Sequence, residues 1–230
     1  MEIKISPKDI VRFMGSIYLV LLFLTIAANI ARYFFGYRTN IVSAFNFGSE
    51  RNFPTFYSAA GLMLCAVLAA VIAAWFKRNK RKYTGHWIAL SAIFAYLSLD
   101  EMLEIHEQAT PIVRSFIHTG GLLYFAWIIP FGILTILFAL TYLGFLRDLP
   151  KKSRRLFILS GAIYVMGAIG IEAISTPWYA VHGWDNFGYA LWQTMEESFE
   201  MWGIILFAYS IASYIKDQIK SVTIRLGDQD

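Results

Sequence analysis

Cysteine is nearly absent from this sequence of 230 residues, which contains only Cys65. A single cysteine excludes an internal disulfide and a cysteine-based zinc or iron–sulfur site within one chain. The Gly-x-Ser-x-Gly elbow of serine hydrolases, the glycine-rich phosphate loop and the His-Glu-x-x-His zinc motif are also missing. Classical hydrolase and nucleotide chemistries are therefore not expected.

Charge is scarce as well, because 16% of the residues are charged and 57% are hydrophobic. Six runs approach the roughly 20 apolar residues that are needed to cross about 30 Å of hydrocarbon. These runs cover approximately residues 10–35, 56–76, 86–108, 122–145, 156–176 and 189–215. We predict an all-α, polytopic membrane bundle of six transmembrane helices. Residues 1–215 would form one domain, followed by a short cytoplasmic tail over residues 216–230.

Basic residues are distributed unevenly around the predicted spans. Sixteen of the twenty lysines and arginines precede the first span, follow the last, or lie in the second and fourth loops. The other four are Arg32, Arg38, Arg51 and Arg114. This positive-inside bias places both termini in the cytoplasm of a multi-pass protein, which we expect in the bacterial inner membrane. Basic loops beside a bilayer also account for the pI near 9.1, so no nucleic-acid partner is expected.

Acidic residues inside the apolar runs require an explanation. An ionised acid at the centre of a spanning helix costs about 3 kcal/mol on insertion scales. Such acids must therefore be paired, protonated, hydrated or bound to metal. The eight residues concerned are Asp100, Glu101, Glu104, Glu107, Glu172, Glu196, Glu197 and Glu200.

Helical periodicity groups most of these acids into two stripes. At about 100° per residue, Asp100, Glu104 and Glu107 share one helix face, with Glu101 beside them, while His106 points away from the densest part of that face. The second stripe consists of Glu196, Glu197 and Glu200. With the termini inside, both stripes fall in the outer half of the membrane. Glu172 arrives at a similar level, and so does Glu50 if the first outer loop folds back over the bundle.

Three interpretations of this carboxylate cluster compete. Carboxylates and imidazole from facing helices are the ligands of dinuclear sites in helical bundles, which favours a divalent metal. Acids that face a hydrated cavity are also typical of proton or cation pathways in transporters and channels. Protonated acids that hydrogen-bond across helices can instead have a purely structural role and fix the helix packing.

The acidic strings resemble a pattern found in uncharacterised bacterial multispan membrane proteins. The resemblance covers about residues 45–210 and rests on the string at 50–55 from Glu50 through Pro54-Thr55, Ser-Leu-Asp-Glu at 98–101, His-Glu at 106–107, Glu172, and Glu-Glu-Ser-Phe-Glu at 196–200. It implies that Asp100, Glu101, His106 and Glu107 belong to a shared site, whereas Glu104 is particular to this chain. No established activity accompanies the resemblance.

We therefore expect a membrane metalloenzyme, an oxidoreductase or hydrolase, with a metal site near the extracytoplasmic face. The cofactor would be a divalent metal (iron, manganese or zinc), with a dinuclear site among the alternatives, and the substrate an apolar molecule such as a lipid or quinone. Glu197 is the candidate general base, and Glu50 and Glu104 are outer-shell candidates. The expected ligands are Asp100, Glu101, His106, Glu107, Glu172, Glu196, Glu197 and Glu200. In the transporter alternative, an ion replaces this substrate.

Overall fold

A computed structural model describes residues 6–219, in which every regular element is a helix and no β-strand occurs. The long helices are α1 (Pro7–Phe35), α3 (Phe53–Arg78), α4 (Thr84–Leu103), α6 (Ile128–Asp148) and α9 (Phe187–Tyr214). Helices α7 (Lys151–Val165) and α8 (Glu172–His182) are joined without a break by the π-helical turn Met166–Ile171. The short elements are α2 (Asn40–Phe45), α5 (Ala109–Arg114), a 3-10 turn (Gly121–Leu123) and a final π-helical turn (Ile215–Ile219). The all-α prediction is confirmed.

Five helical stretches in this part of the chain are long and apolar enough to cross a membrane. They are Pro7–Phe35, Phe53–Arg78, Ile128–Asp148, Lys151–His182 and Phe187–Ile219. Helix α4 has 20 residues but is not among them, because polar residues that include Asp100 and Glu101 lower its mean hydropathy. The fold therefore fits a multipass membrane protein.

The ends of the helices follow recognisable local signals. The side chain of Asn52 accepts the Thr55 N–H at the start of α3, and Asn186 accepts the Tyr189 N–H at the start of α9. Both residues satisfy a backbone donor that has no partner within its helix. Gly36 ends α1 with a φ of 74°, a left-handed conformation that glycine adopts without a steric penalty.

Helix α9 forms the centre of the bundle. Its core side chains Met201, Ile204, Ile205, Ala208 and Ile211 have no exposed surface. Helices α1, α3 and α7 pack around it, and α4 lies along α3, where Ser91 and Ser98 donate hydrogen bonds to the carbonyls of Ala66 and Ala59.

The bundle has two chemically different ends. One end, called here the basic end, comprises residues 77–86 and 147–155; at this end Lys82 pairs with Asp148 at 2.9 Å. The other, called the cavity end, comprises residues 36–52, 104–127 and 183–186; at this end Arg32 and Arg38 both contact Asp185, at 2.9 and 2.7 Å.

Several predicted boundaries are wrong. The third run, expected to be helical to residue 108, ends at Leu103 because Glu104 adopts a φ of 53°. In the fourth predicted run, the helix (α6) begins at Ile128 rather than at residue 122. The helical stretch of the fifth predicted run continues to His182 rather than to residue 176. The last helical stretch reaches Ile219, and the rest of the predicted tail lies outside the described residues.

Candidate functional site

A cavity of ≈ 180 Å³ lies among the helices at the cavity end. Helices α4, α6, α7, α8 and α9, the π-helical turn at Met166–Ile171 and the loops at 46–52 and 104–127 contribute to its wall. All ten residues proposed above as ligands or outer-shell groups line it: Glu50, Asp100, Glu101, Glu104, His106, Glu107, Glu172, Glu196, Glu197 and Glu200. No lysine or arginine is among the lining residues of the described chain.

The end of α4 brings Asp100 and His106 together. Glu104 donates its backbone N–H to the Asp100 carbonyl at 2.7 Å and then turns the chain out of the helix. As a result, the Asp100 carboxylate accepts the His106 backbone N–H at 2.8 Å and lies 2.9 Å from His106 Nδ1. The predicted single stripe through Asp100, Glu104 and Glu107 is therefore wrong, since the last two residues follow the helix instead of belonging to it.

The pKa values of the two groups outside the spanning helices reflect this crowding. Burial lowers the pKa of His106, but the hydrogen bond to Asp100 and the nearby carboxylates outweigh burial and raise it overall. Partial desolvation and the carboxylates of Glu104 and Glu107 raise the pKa of Glu50 to about 7. Both shifts point to an excess of negative charge in this region.

The loop between α2 and α3 folds back over the bundle. Asn52 organises it, because its amide nitrogen donates to the carbonyls of Ser43, Asn46 and Ser49 at 3.1, 2.7 and 2.7 Å. This arrangement places Glu50 on the cavity wall. The role of Asn52 was not predicted from the sequence, although an asparagine two positions before a proline at a helix start is a recognisable capping signal.

Two cationic or polar partners of the acids were also missed. Arg51 Nε lies 3.0 Å from a Glu104 carboxylate oxygen, and the Arg51 side chain is largely exposed. Trp127 Nε1 donates to a Glu172 carboxylate oxygen at 3.1 Å, and its ring lies 4.6 Å from that of His106. Trp127 is buried just before α6, and no local signal marks a partner 45 positions away.

The π-helical turn at Met166–Ile171 brings its backbone against α9 beside the acids. A Cβ on Gly167 would lie 2.8 Å from Glu200 Cγ and 2.9 Å from the Glu196 carbonyl oxygen. Only a glycine leaves room for this approach, which is typical of close helix contacts in membranes. Single π-helical turns of this kind are frequent at functional sites.

The remaining six acids have no protein partner in the described chain. Between residues 6 and 219, their side chains make no hydrogen bond and no ion pair, although each lines the cavity. Glu50 and Glu107 are exposed and mark the mouth, while the others are half-buried further in. The six residues are Glu50, Glu101, Glu107, Glu196, Glu197 and Glu200.

The acids do not form a ready-made metal centre. Within residues 6–219, no group of three or more His, Cys, Asp or Glu side chains stands in an arrangement that would hold a metal ion. The oxygen donors nevertheless belong to the class preferred by hard divalent cations, and His106 adds an imidazole. The chemistry of these donors suits cations or protons rather than anions.

These observations define an all-α protein that fits a multipass membrane protein and has an acid-lined cavity at one end. Residues 16–214 match the family described as Domain of unknown function (DUF8692), and the chain belongs to that family. No curated protein and no solved structure matches the chain.

Proposed function

We propose that the chain is an integral protein of the bacterial inner membrane with six spans, α4 supplying the sixth. The hydrogen bonds from Ser91 and Ser98 to α3 support this, since they align α4 with a helix that is apolar enough to cross. The positive-inside rule then assigns the basic end, both termini and the tail that follows the single membrane domain to the cytoplasm. The cavity accordingly faces the extracytoplasmic side.

The proposed function is that of a membrane metalloenzyme whose cavity binds a divalent metal, iron, manganese or zinc, in a mononuclear or dinuclear site. The observation that supports it is the group of six unpartnered carboxylates around one cavity without a lysine or arginine in its wall. Ionised acids in such surroundings need positive charge, and the described chain offers only Arg51 and His106 nearby. A bound divalent cation would provide it.

The ligand set would combine the deeper acids with the Asp100–His106 pair. Glu101, Glu196 and Glu200 belong to two neighbouring helices, and Glu107 and Glu172 approach from a loop and from α8. Because these groups are not arranged around one point, binding would require their side chains to change rotamer and draw together. Glu197 is proposed as a general base for a metal-bound water, and Glu50 and Glu104 as outer-shell groups. The substrate would be apolar or lipid-like, such as a lipid or quinone.

Elemental analysis of the purified full-length protein tests this proposal. After exposure to iron, manganese and zinc and removal of excess metal, the wild type should retain a stoichiometric amount of one of them. Glu200→Gln should lose at least half of that metal, because it removes a charged oxygen ligand from the deep part of the cavity.

Asp148→Asn is the matched control, since it makes the same kind of replacement at the basic end, where Asp148 pairs with Lys82. It should retain the wild-type metal content. Equal losses in both variants, or a folded wild type without metal, would contradict the proposal. Metal-free protein in which amide replacements change neither folding nor ion flux would leave the acids with a structural role in helix packing.

Proton- or cation-coupled transport is the second candidate. It is favoured by the absence of a preformed three-ligand geometry in residues 6–219 and by acids that run from the mouth at Glu50 and Glu107 to Glu200. Such a series is typical of a relay. Protein in liposomes with a pH-sensitive dye inside would show flux that Glu197→Gln abolishes. Wild-type liposomes no more permeable than protein-free liposomes would exclude this candidate.

A further inference from the structure

Aromatic side chains form part of the wall of the same acid-lined cavity. His106, Trp127 and Phe131 follow one another with ring centres 4.6 and 5.5 Å apart. Phe125 and Tyr189 also line the cavity and both contact the ring of Tyr179, at 5.4 and 5.3 Å. Glu107 and Glu172 line the cavity with these two groups of rings, so aromatic and anionic groups meet in one space.

The hydroxyl of Tyr189 in this wall lacks a partner in the described chain. Tyr189 is only 6% exposed, yet its hydroxyl makes no hydrogen bond to any residue between 6 and 219. Buried tyrosine hydroxyls usually have a hydrogen-bond partner. Because Tyr189 lines the cavity, the hydroxyl is available to a molecule that enters it.

A third feature is the apolar side of the cavity between α4 and α6. Leu97 on α4 and Phe131 and Thr135 on α6 line it. The Thr135 hydroxyl donates a hydrogen bond to the Phe131 carbonyl of its own helix, so it is not available to a ligand. Leu134 and Leu137 lie beside Phe131 and Thr135 on α6 and are exposed. In a membrane-spanning α6, these residues would offer an apolar surface to the chain of an amphiphile whose charged group lies in the cavity.

We propose that the cavity binds an organic ammonium ion that carries an apolar chain. The carboxylates attract the ammonium charge, and the rings of Trp127, Phe131 and Tyr189 offer the aromatic faces that recognise alkylammonium groups. This deepens the proposed function by naming a substrate class for the same cavity, and it rests on that function.

Charge explains why the ligand is a cation. Nine carboxylates line the cavity. If all of them are ionised, two divalent metal ions bound with neutral His106 as a ligand, together with Arg51, offset five of those charges. The remainder repels phosphate and carboxylate headgroups and favours an ammonium ion.

Calorimetric titration of the full-length protein in lipid nanodiscs tests the inference, with empty nanodiscs as the blank. Dodecyltrimethylammonium, kept below its micelle concentration, should bind saturably. Dodecyl maltoside, which has the same chain without the charge, should not. Tetramethylammonium, which has the charge without the chain, should bind at least tenfold more weakly.

Phe131→Leu should weaken dodecyltrimethylammonium binding about threefold to thirtyfold, because it removes an aromatic face and keeps an apolar side chain. Phe138→Leu is the matched control: it lies seven positions along the same helix and packs against Tyr142 rather than in the cavity wall. If Phe131→Leu does not fold, Phe125→Leu tests the other aromatic group.

Three results would overturn the inference: no saturable binding, equal binding of the charged and uncharged amphiphiles, or equal effects of Phe131→Leu and Phe138→Leu. Tetramethylammonium binding as tightly as the amphiphile would overturn the role of the apolar chain. Elemental analysis measures metal content, whereas calorimetry measures ammonium binding, so the two proposals can fail separately. A protein that retains metal but binds no ammonium refutes this inference alone. A protein that binds ammonium but retains no metal refutes only the metal proposal.

Discussion

The half of the bundle near the basic end and the half near the cavity end are built on opposite principles. Near the basic end, Trp87 is 0% exposed and packs against Phe145 and Tyr214 with ring centres 5.3 and 5.1 Å apart. Near the cavity end, the same helices enclose ≈ 180 Å³ of space surrounded by carboxylates. The first half accounts for stability, while the second departs from close packing in a way that is typical of functional sites.

The two halves also treat polar groups differently. At the basic end, Asp148 accepts hydrogen bonds from both Lys82 and Tyr83, so its charge is compensated by the chain itself. In the cavity, Glu197 and Glu200 have no such partner among the described residues. We therefore expect substitutions near the basic end to change mainly folding, and substitutions in the cavity to change mainly binding.

The largest effect is expected for Trp87→Ala. This change empties a fully buried site and should lower the free energy of unfolding by about 3–5 kcal/mol. Glu200→Gln should leave metal-free protein at least as stable as the wild type, because it removes a charge that has no partner. Denaturant unfolding in detergent micelles, followed by circular dichroism, compares the two. A larger decrease in the free energy of unfolding for Glu200→Gln than for Trp87→Ala would contradict the different roles assigned to the two halves.

A smaller loss is expected where the cavity half packs most closely. Gly167→Ala would force a methyl group to within 3 Å of the α9 backbone, and we expect it to cost about 1–3 kcal/mol. Gly161→Ala on the same helical stretch meets only the Phe207 ring at 3.5 Å, an ordinary contact, and should be nearly neutral. Thermal unfolding compares the two variants. Equal melting temperatures would show that α9 shifts to accommodate the methyl group on residue 167.

Hydropathy predicted the helices much better than the contacts of the site. Apolar runs of about 20 residues are a local property, so five predicted spans overlap the apolar helices found. No local signal in the sequence predicts the end of α4, because Leu103, Glu104 and Ile105 include no glycine, proline or asparagine, the residues that favour a left-handed turn. The prediction from helical periodicity therefore assigned the residues beyond Leu103 to a helix face that they do not belong to.

The site residues show the same limit. The types of these residues and their depth in the bundle could be predicted from the sequence, because acids are rare in apolar runs. Their partners could not, since Trp127 and Glu172, or Arg51 and Glu104, are brought together only by the tertiary fold. The role of Asn52 lies between these cases: its capping position was readable, but its three carbonyl contacts depend on the conformation of the loop.

The turn after α4 gives a third prediction. Asp100→Ala leaves the His106 N–H without its acceptor and should cost metal-free protein about 1–2 kcal/mol. Asp100→Asn keeps a carbonyl oxygen for that N–H and should cost less. Unfolding measurements with a chelator present give both values. If the two variants lose the same amount, the charge of Asp100, rather than its hydrogen bond to the backbone, holds the turn.

The smallest effect is expected at the ion pair that links two loops of the cavity end. The hydrogen bond from Arg38, supported by Arg32, lowers the pKa of Asp185 below its ordinary value of 3.8. A lowered folded-state pKa contributes stability above pH 3.8, and this contribution is lost as the pH falls through the folded value. Asp185→Asn should therefore cost at most about 1 kcal/mol at pH 7 and progressively less in acid. A loss that does not change with pH would rule out the ion pair as its cause.

Anomalous diffraction tests the central claim most directly, namely that the unpartnered acids of the cavity bind a divalent metal. Crystals of the full-length protein grown with manganese should be measured on both sides of the manganese absorption edge. We expect an anomalous peak in the cavity within coordination distance of carboxylates that include Glu101, Glu196 or Glu200. Well-ordered cavity acids with no anomalous peak between them would contradict the claim.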